Sequence, residues 1–320
     1  MTRRRVPEVS TGISSTRGRL IAAFAAVYVL WGSTYLAIRF GVETIPPFLM
    51  AGTRHLTAGM ILFLWTRLRG EARPDRGHWA TAFFIGGLML LGGNGLVTWA
   101  ERRVPSGLAA LIVASVPLWM ALFDGIQKRL RPSLPVVAGL LIGLAGLLAL
   151  VAPGHFAGNG RVDLLGAGAL LLAALCWASG SLYSRHARLP ESVLTATAMQ
   201  MIGGGVLLWI VGLAAGEGSR LDLAAVSLRS VLSLAYLVVF GSLLGFSAYV
   251  WLLRATTPAR VSTYAYVNPV VAVFLGWAFA GEAVTLRIGL ATIAIVGAVA
   301  LIIRYGGARA PTKSRKEIAA

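Results

Sequence analysis

The chain has 320 residues, of which 57% are hydrophobic and 13% charged, with a mean hydropathy of +0.76. That balance excludes a water-soluble surface, and with it a soluble enzyme, because the charged groups are too few to solvate a globule of this size. The 29 basic against 12 acidic residues give a net charge of +17. The basic residues lie in short clusters beside the ends of apolar runs, the pattern that sets membrane topology, so no nucleic-acid partner is expected. One cysteine, Cys176, excludes an intrachain disulfide and a multi-cysteine metal site. Neither a metal nor a cofactor is expected.

Stretches of about 20 apolar residues are long enough to cross a hydrocarbon core of about 30 Å. Ten fall in chain order at 20–40, 47–68, 78–100, 107–128, 134–152, 162–184, 190–213, 229–253, 258–280 and 285–305. They are too long and continuous for barrel strands, so the expected fold is an all-α membrane protein of ten transmembrane helices. The first run is as long as a full span and reads as a retained anchor rather than a cleaved signal. Counting Lys and Arg loop by loop gives 21 on the side carrying both termini, seven on the other, and Arg54 within a span. Both termini are therefore expected in the cytoplasm. The inside clusters include Arg3 to Arg5, Arg67 to Arg76, Lys128, Arg129, Arg131, Arg185 and the tail through Lys316; the outside loops carry Glu43, Glu101, Glu217 and Glu282. Residues 1–19 and 306–320 read as basic cytoplasmic tails, flanking five-span units at 20–152 and 162–305.

The two units resemble each other. Trp99 matches Trp251 and Pro117 matches Pro269 at the same offset of 152, and Trp31-Gly32-Ser33 corresponds more loosely to Trp177-Ala178-Ser179. Five spans per unit is an odd number, so the second copy must enter the membrane from the opposite face, as inverted repeats. Such halves build a site near the midplane between them and expose it to each side in turn. Pro117 and Pro269 lie deep in their spans, where a lost hydrogen bond kinks the helix, and their recurrence in both units marks them as hinges.

Three segments carry a family likeness: LWGSTYLAIRFGVETIPPFLMAGTRHLTAG at 30–59, GGNGLVTWAERRVPSGLAALIVASVPLW at 92–119 and STYAYVNPVVAVFLGWAFAGE at 262–282. Together with the ten spans, they resemble the EamA family of the drug/metabolite transporter superfamily over residues 20 to 305. The resemblance implies two EamA repeats in a multi-pass bacterial inner-membrane carrier, often an exporter of amino acids, metabolites or toxic compounds. It does not name a cargo.

Ionisable groups inside spans are costly and usually face an aqueous cavity. Arg54 lies about two turns inside the second span and Asn94 at a matching depth in the third, so the two could meet if their helices are neighbours. There the planar guanidinium could hold a substrate carboxylate, or serve only to tie helices together. His55 points about 100° away around the helix and is a candidate proton carrier. Asp124 is placed near the inner end of the fourth span, within reach of Lys128. Gln200 and Asn268 are the midplane amides, and Trp31, Tyr35, Trp119 and Tyr264 are the aromatic candidates for a permissive pocket. No carboxylate is expected at mid-membrane. The glycine pairs and runs are read as packing surfaces.

The chain offers no clustered acids and no nucleophile with a base, so no catalytic residues are expected. A carrier of small molecules in the lipid bilayer, monomeric or homodimeric, is the leading reading. A receptor or structural membrane protein without transport activity is the alternative.

Overall fold

The computed structural model describes residues 11–104, 106–128, 133–151, 163–280 and 286–305. Arg3 to Arg5, Arg129, Arg131, Gly281, Glu282 and the tail from Gly306 onward lie outside the described residues. Helices and short turns account for the described residues, with no strand among them. Lipid offers the backbone no partners, so helices that satisfy their own amides are the available solution.

In chain order the helices are α1 Thr11–Gly41, α2 Pro47–Leu68, α3 Arg76–Ala100, α4 Ser106–Val113, α5 Val116–Lys128, α6 Leu134–Val151, α7 Leu164–Ser184, α8 Val193–Ala214, α9 Leu228–Ala255, α10 Pro258–Val261, α11 Tyr264–Ala280 and α12 Leu286–Tyr305. Six are long and apolar enough to cross a membrane: α1 over Arg17–Gly41, α2, α3, α7, α8 and α9. The other expected spans fall on α4 with α5, on α6, on α10 with α11, and on α12. The helix of α1 starts within the segment read as a tail. Its Ser, Thr and Arg residues there continue the helix beyond the apolar window.

Local chemistry sets several boundaries. Pro46 and Pro47 open α2 with a preset φ, and Gly70 ends the turn after it at φ 75°. Asp163 accepts from Gly166 N at 2.9 Å to start α7, and Ser227 accepts from Ser230 N at 3.2 Å to start α9. The first turn of α2 is instead capped from a distance. Glu217, in the turn between α8 and α9, accepts from Leu49 N at 2.9 Å and Phe48 N at 3.3 Å.

Three helix pairs have the most extensive contact: α2 with α8, α3 with α7, and α6 with α12. Small residues bring the first pair together backbone to backbone. A Cβ on Gly59 would lie 2.8 Å from Ile202 N, and one on Gly205 2.7 Å from Leu56 N. Around these pairs α1 packs on α9 and α11, while α7 packs also on α4 and α5.

The α3 and α9 helices each contain a π-helical stretch, Gly87–Gly95 and Leu237–Phe246, beginning 150 residues apart. Such wide turns often occur at functional sites.

The two prolines are not alike, which corrects the expectation of matched kinks. Helix α4 ends at Val113, Ala114 and Ser115 form a turn, and Pro117 is the second residue of α5. There its missing N–H is one the helix start would leave unpaired anyway. Pro269 lies inside the unbroken α11. With its amide nitrogen facing them, Asn268 donates to Tyr264 O at 3.0 Å and to Tyr28 O at 3.3 Å, satisfying a carbonyl one turn before the proline.

Candidate substrate site

A cavity opens between α1, α2, α3, α4, α5, α7, α9 and α11. Both halves of the sequence line it. Trp31, Tyr35, Arg54, His55 and Asn94 come from the first, and Trp177, Gly241, Phe246, Tyr264 and Asn268 from the second.

One wall is polar. Arg54, buried on α2, donates through Nε to Ser242 Oγ at 2.8 Å. A guanidinium can only donate, so Ser242 must accept there and keeps its own proton for His55 Nδ1, 3.4 Å away. That leaves the proton of His55 on Nε2, which donates to Asn94 Oδ1 at 3.1 Å. The chain from Arg54 through Ser242 and His55 to Asn94 closes with a neutral imidazole.

The π-helical turns place this wall. Ser242 and Gly241 lie in the stretch of α9, and Asn94 in that of α3. Gly241 lets the guanidinium reach the backbone, because a Cβ there would sit 2.5 Å from Arg54 Nη2. Among the described residues, Nη1 and Nη2 of Arg54 donate to no protein acceptor, although Arg54 lines the cavity.

Beside it the lining is aromatic. Trp31 meets Trp177 edge to face at 5.4 Å between ring centroids, Tyr264 at 5.0 Å and Tyr249 at 4.9 Å. Hydrogen bonds lock these rings. Trp31 Nε1 donates to Gly241 O at 3.0 Å, Trp177 Nε1 to Tyr249 OH at 3.0 Å, and Ser181 Oγ lies 2.7 Å from the same hydroxyl. The two tryptophans aligned by the internal repeat thus touch each other.

Several expectations change. Arg54 and Asn94 do not meet; His55 takes the amide, and Arg54 takes Ser242. Arg54 and His55, although adjacent on α2, both line the cavity. Trp119 lies outside the lining residues, where its Nε1 donates to Ser115 Oγ at 3.2 Å and its ring packs on Phe123. Gln200 is fully buried on α8 without a partner for its amide and is also outside the lining. Its depth matched the cavity but its helix face did not. Ser242 is missing from the candidates drawn from sequence, whereas Trp177 and Tyr249 belong to the wider pool of span aromatics from which Trp31, Tyr35, Trp119 and Tyr264 are chosen. The repeat alignment with Trp31 was the available signal for Trp177, whereas a serine in an apolar span gives none.

The profile of the EamA-like transporter family matches residues 18–152 and again 164–304. The chain belongs to the EamA-like transporter family. This EamA protein is 43% identical over 287 residues to the uncharacterized inner membrane transporter YedA of Escherichia coli K12, covering 88% of this chain and 90% of YedA. It is 25% identical over 290 residues to the uncharacterized transporter YvbV of Bacillus subtilis, covering 91% and 92% of the two chains. A solved crystal structure at 22% identity shares the fold with a TM-score of 0.71, over 91% of this chain and 99% of that one. The family and its named relatives are transporters, and none of these names states an enzymatic activity.

Proposed function

We propose that this EamA protein is an inner-membrane carrier that exports amino acids or other small amphipathic metabolites bearing a carboxylate, by alternating access. The observation that carries this reading is the cavity between the halves, lined by Arg54, whose Nη groups donate to no acceptor among the described residues, together with His55, Asn94 and the Trp31, Trp177 and Tyr264 rings. A guanidinium fork matches a carboxylate with two parallel hydrogen bonds, and the Trp31, Trp177 and Tyr264 rings suit an apolar side chain. Export is the direction implied by the family resemblance.

Ten spans arranged as two inverted five-helix units complete the proposal, with Arg54 on the outer side of the membrane midplane and both termini cytoplasmic. Three observations support the internal duplication. The family profile matches each half, π-helical stretches recur 150 residues apart, and α1 and α7 pack crosswise on the other half.

Counterflow uptake by proteoliposomes tests this reading, using labelled amino acids and aromatic carboxylates with and without a proton gradient. Saturable flux of one carboxylate class, lost in Arg54→Lys with normal membrane insertion, is expected. Flux that ignores both the carboxylate and Arg54→Lys would overturn the assignment.

A further inference from the structure

Glu101 is an acidic side chain next to lining residues of the cavity that takes no part in the polar wall. It follows the last turn of α3, its N–H bonded to Val97 O at 3.0 Å, and so lies one turn beyond Val97 and two beyond Asn94, both lining residues. Only 9% of it is exposed, and neither carboxylate oxygen accepts a hydrogen bond. An ionised carboxylate can accept about four, so burying one with none costs far more than burying its neutral acid.

The charges around it are few. Arg54 of α2 and Arg39 at the end of α1 are the cations whose fields reach it, with the Tyr35 ring beside them. From α7, Asp163 is held at the helix start by Arg103, at 3.2 Å. Arg103 itself lies over the Trp99 ring, 4.7 Å from its centroid. Burial pushes the Glu101 carboxyl above the usual carboxylate range, against the pull of the two arginines.

We infer that Glu101 is a proton-binding site coupled to the cavity through Arg54, its charge alternating with that of an anionic cargo. When Glu101 is ionised, it supplies the counter-charge for Arg54. When it takes a proton from solution, Arg54 is left uncompensated and its free Nη groups accept a carboxylate in place of Glu101. Protonation and anion binding therefore reinforce each other, each raising the affinity for the other by one common factor. The inference rests on the cavity being the cargo site, and it assigns the proton to Glu101, not to His55.

Infrared titration of the purified protein in lipid reads the proton without any cargo. A carboxylic-acid C=O band that titrates above the ordinary carboxylate range is expected in the wild type, absent in Glu101→Gln, and shifted in midpoint in Glu101→Asp. Arg54→Gln should raise the midpoint, because it removes the neighbouring cation. Tryptophan fluorescence then follows the binding of 3-phenylpropionate. Affinity should fall about tenfold per pH unit above the midpoint in the wild type, as one proton per anion requires, and stay flat and tight in Glu101→Gln. A band confined to the ordinary range, or unmoved by Arg54→Gln, overturns the inference. So does an identical pH dependence of probe binding in wild type and Glu101→Gln. Should the band behave as expected while 3-phenylpropionate binds to neither protein at any pH, the carboxylate-cargo reading fails and the Glu101 proton site stands.

Discussion

Adding one methyl group at Gly241 tests the polar wall directly. In Gly241→Ala the new Cβ would lie 2.5 Å from Arg54 Nη2, 3.2 Å from Cζ and 3.1 Å from Thr34 Cγ2. Ordinary contact needs about 3.5 Å, so the guanidinium must retreat by about 1 Å. Gly241 and Ser242 are neighbours on α9, and retreat from one is retreat from the other. The 2.8 Å bond from Arg54 Nε to Ser242 would then stretch beyond hydrogen-bonding range. A charge-assisted hydrogen bond contributes about 1.5–3 kcal/mol, and the crowding itself costs about 1–3 kcal/mol of stability. Displacing the cation should weaken 3-phenylpropionate binding about 10- to 100-fold, at about 1.4 kcal/mol per tenfold. Its uncharged amide should lose far less. Fluorescence titration of both ligands and thermal unfolding in detergent measure the two effects. Equal affinities and an unchanged unfolding temperature in Gly241→Ala would refute the close packing of Arg54 against this backbone.

The remaining predictions concern the frame of the site. Glu217→Ala removes the cap on α2 and should lower stability by about 1–2 kcal/mol, read as a drop in unfolding temperature, with carboxylate binding retained. Asn94→Leu leaves His55 Nε2 without an acceptor and should cost about 1–3 kcal/mol by the same measurement, whereas Asn94→Asp keeps an acceptor and should cost less. Asp163 is held below the usual carboxylate range, first by Gly166 N and then by Arg103. Its cap should therefore persist at about pH 5 and be lost as the pH falls through the depressed value, below about pH 4. Hydrogen exchange in the first turn of α7, corrected for intrinsic rates, should show protection at the higher pH and its loss at the lower.

Composition and run length carried the fold class, because a chain this apolar has few solutions in lipid. They also marked the six helices long and apolar enough to cross a membrane, although α1 continues outward through residues whose polarity suggested a tail. The site was only partly legible. Arg54, Asn94 and Asn268 stand out as polar groups in apolar runs, and all three line the cavity. Gln200 stood out for the same reason and does not, since depth along a helix does not specify the face it presents. The pairing of Arg54 with Ser242, rather than Asn94, depends on the π-helical turn of α9, which shifts the angular register within that stretch. No residue preference in LVVFGSLLGF announces that turn. Glu101 reads as an ordinary loop acid, because nothing in the residues around it signals that the folded chain buries it.

The remote cap on α2 has a mechanical consequence. Glu217 belongs to the connection leaving α8, yet it holds the amides that start α2, and the glycine-lined faces of α2 and α8 already leave no gap between their backbones. Pulling these helices apart would strand a carboxylate and two amides away from water. The pair therefore behaves as a single strut carrying Arg54 and His55. Any change in the shape of the chamber that spares these bonds must come from the surrounding helices moving against that strut, so the cation stays fixed while the walls shift.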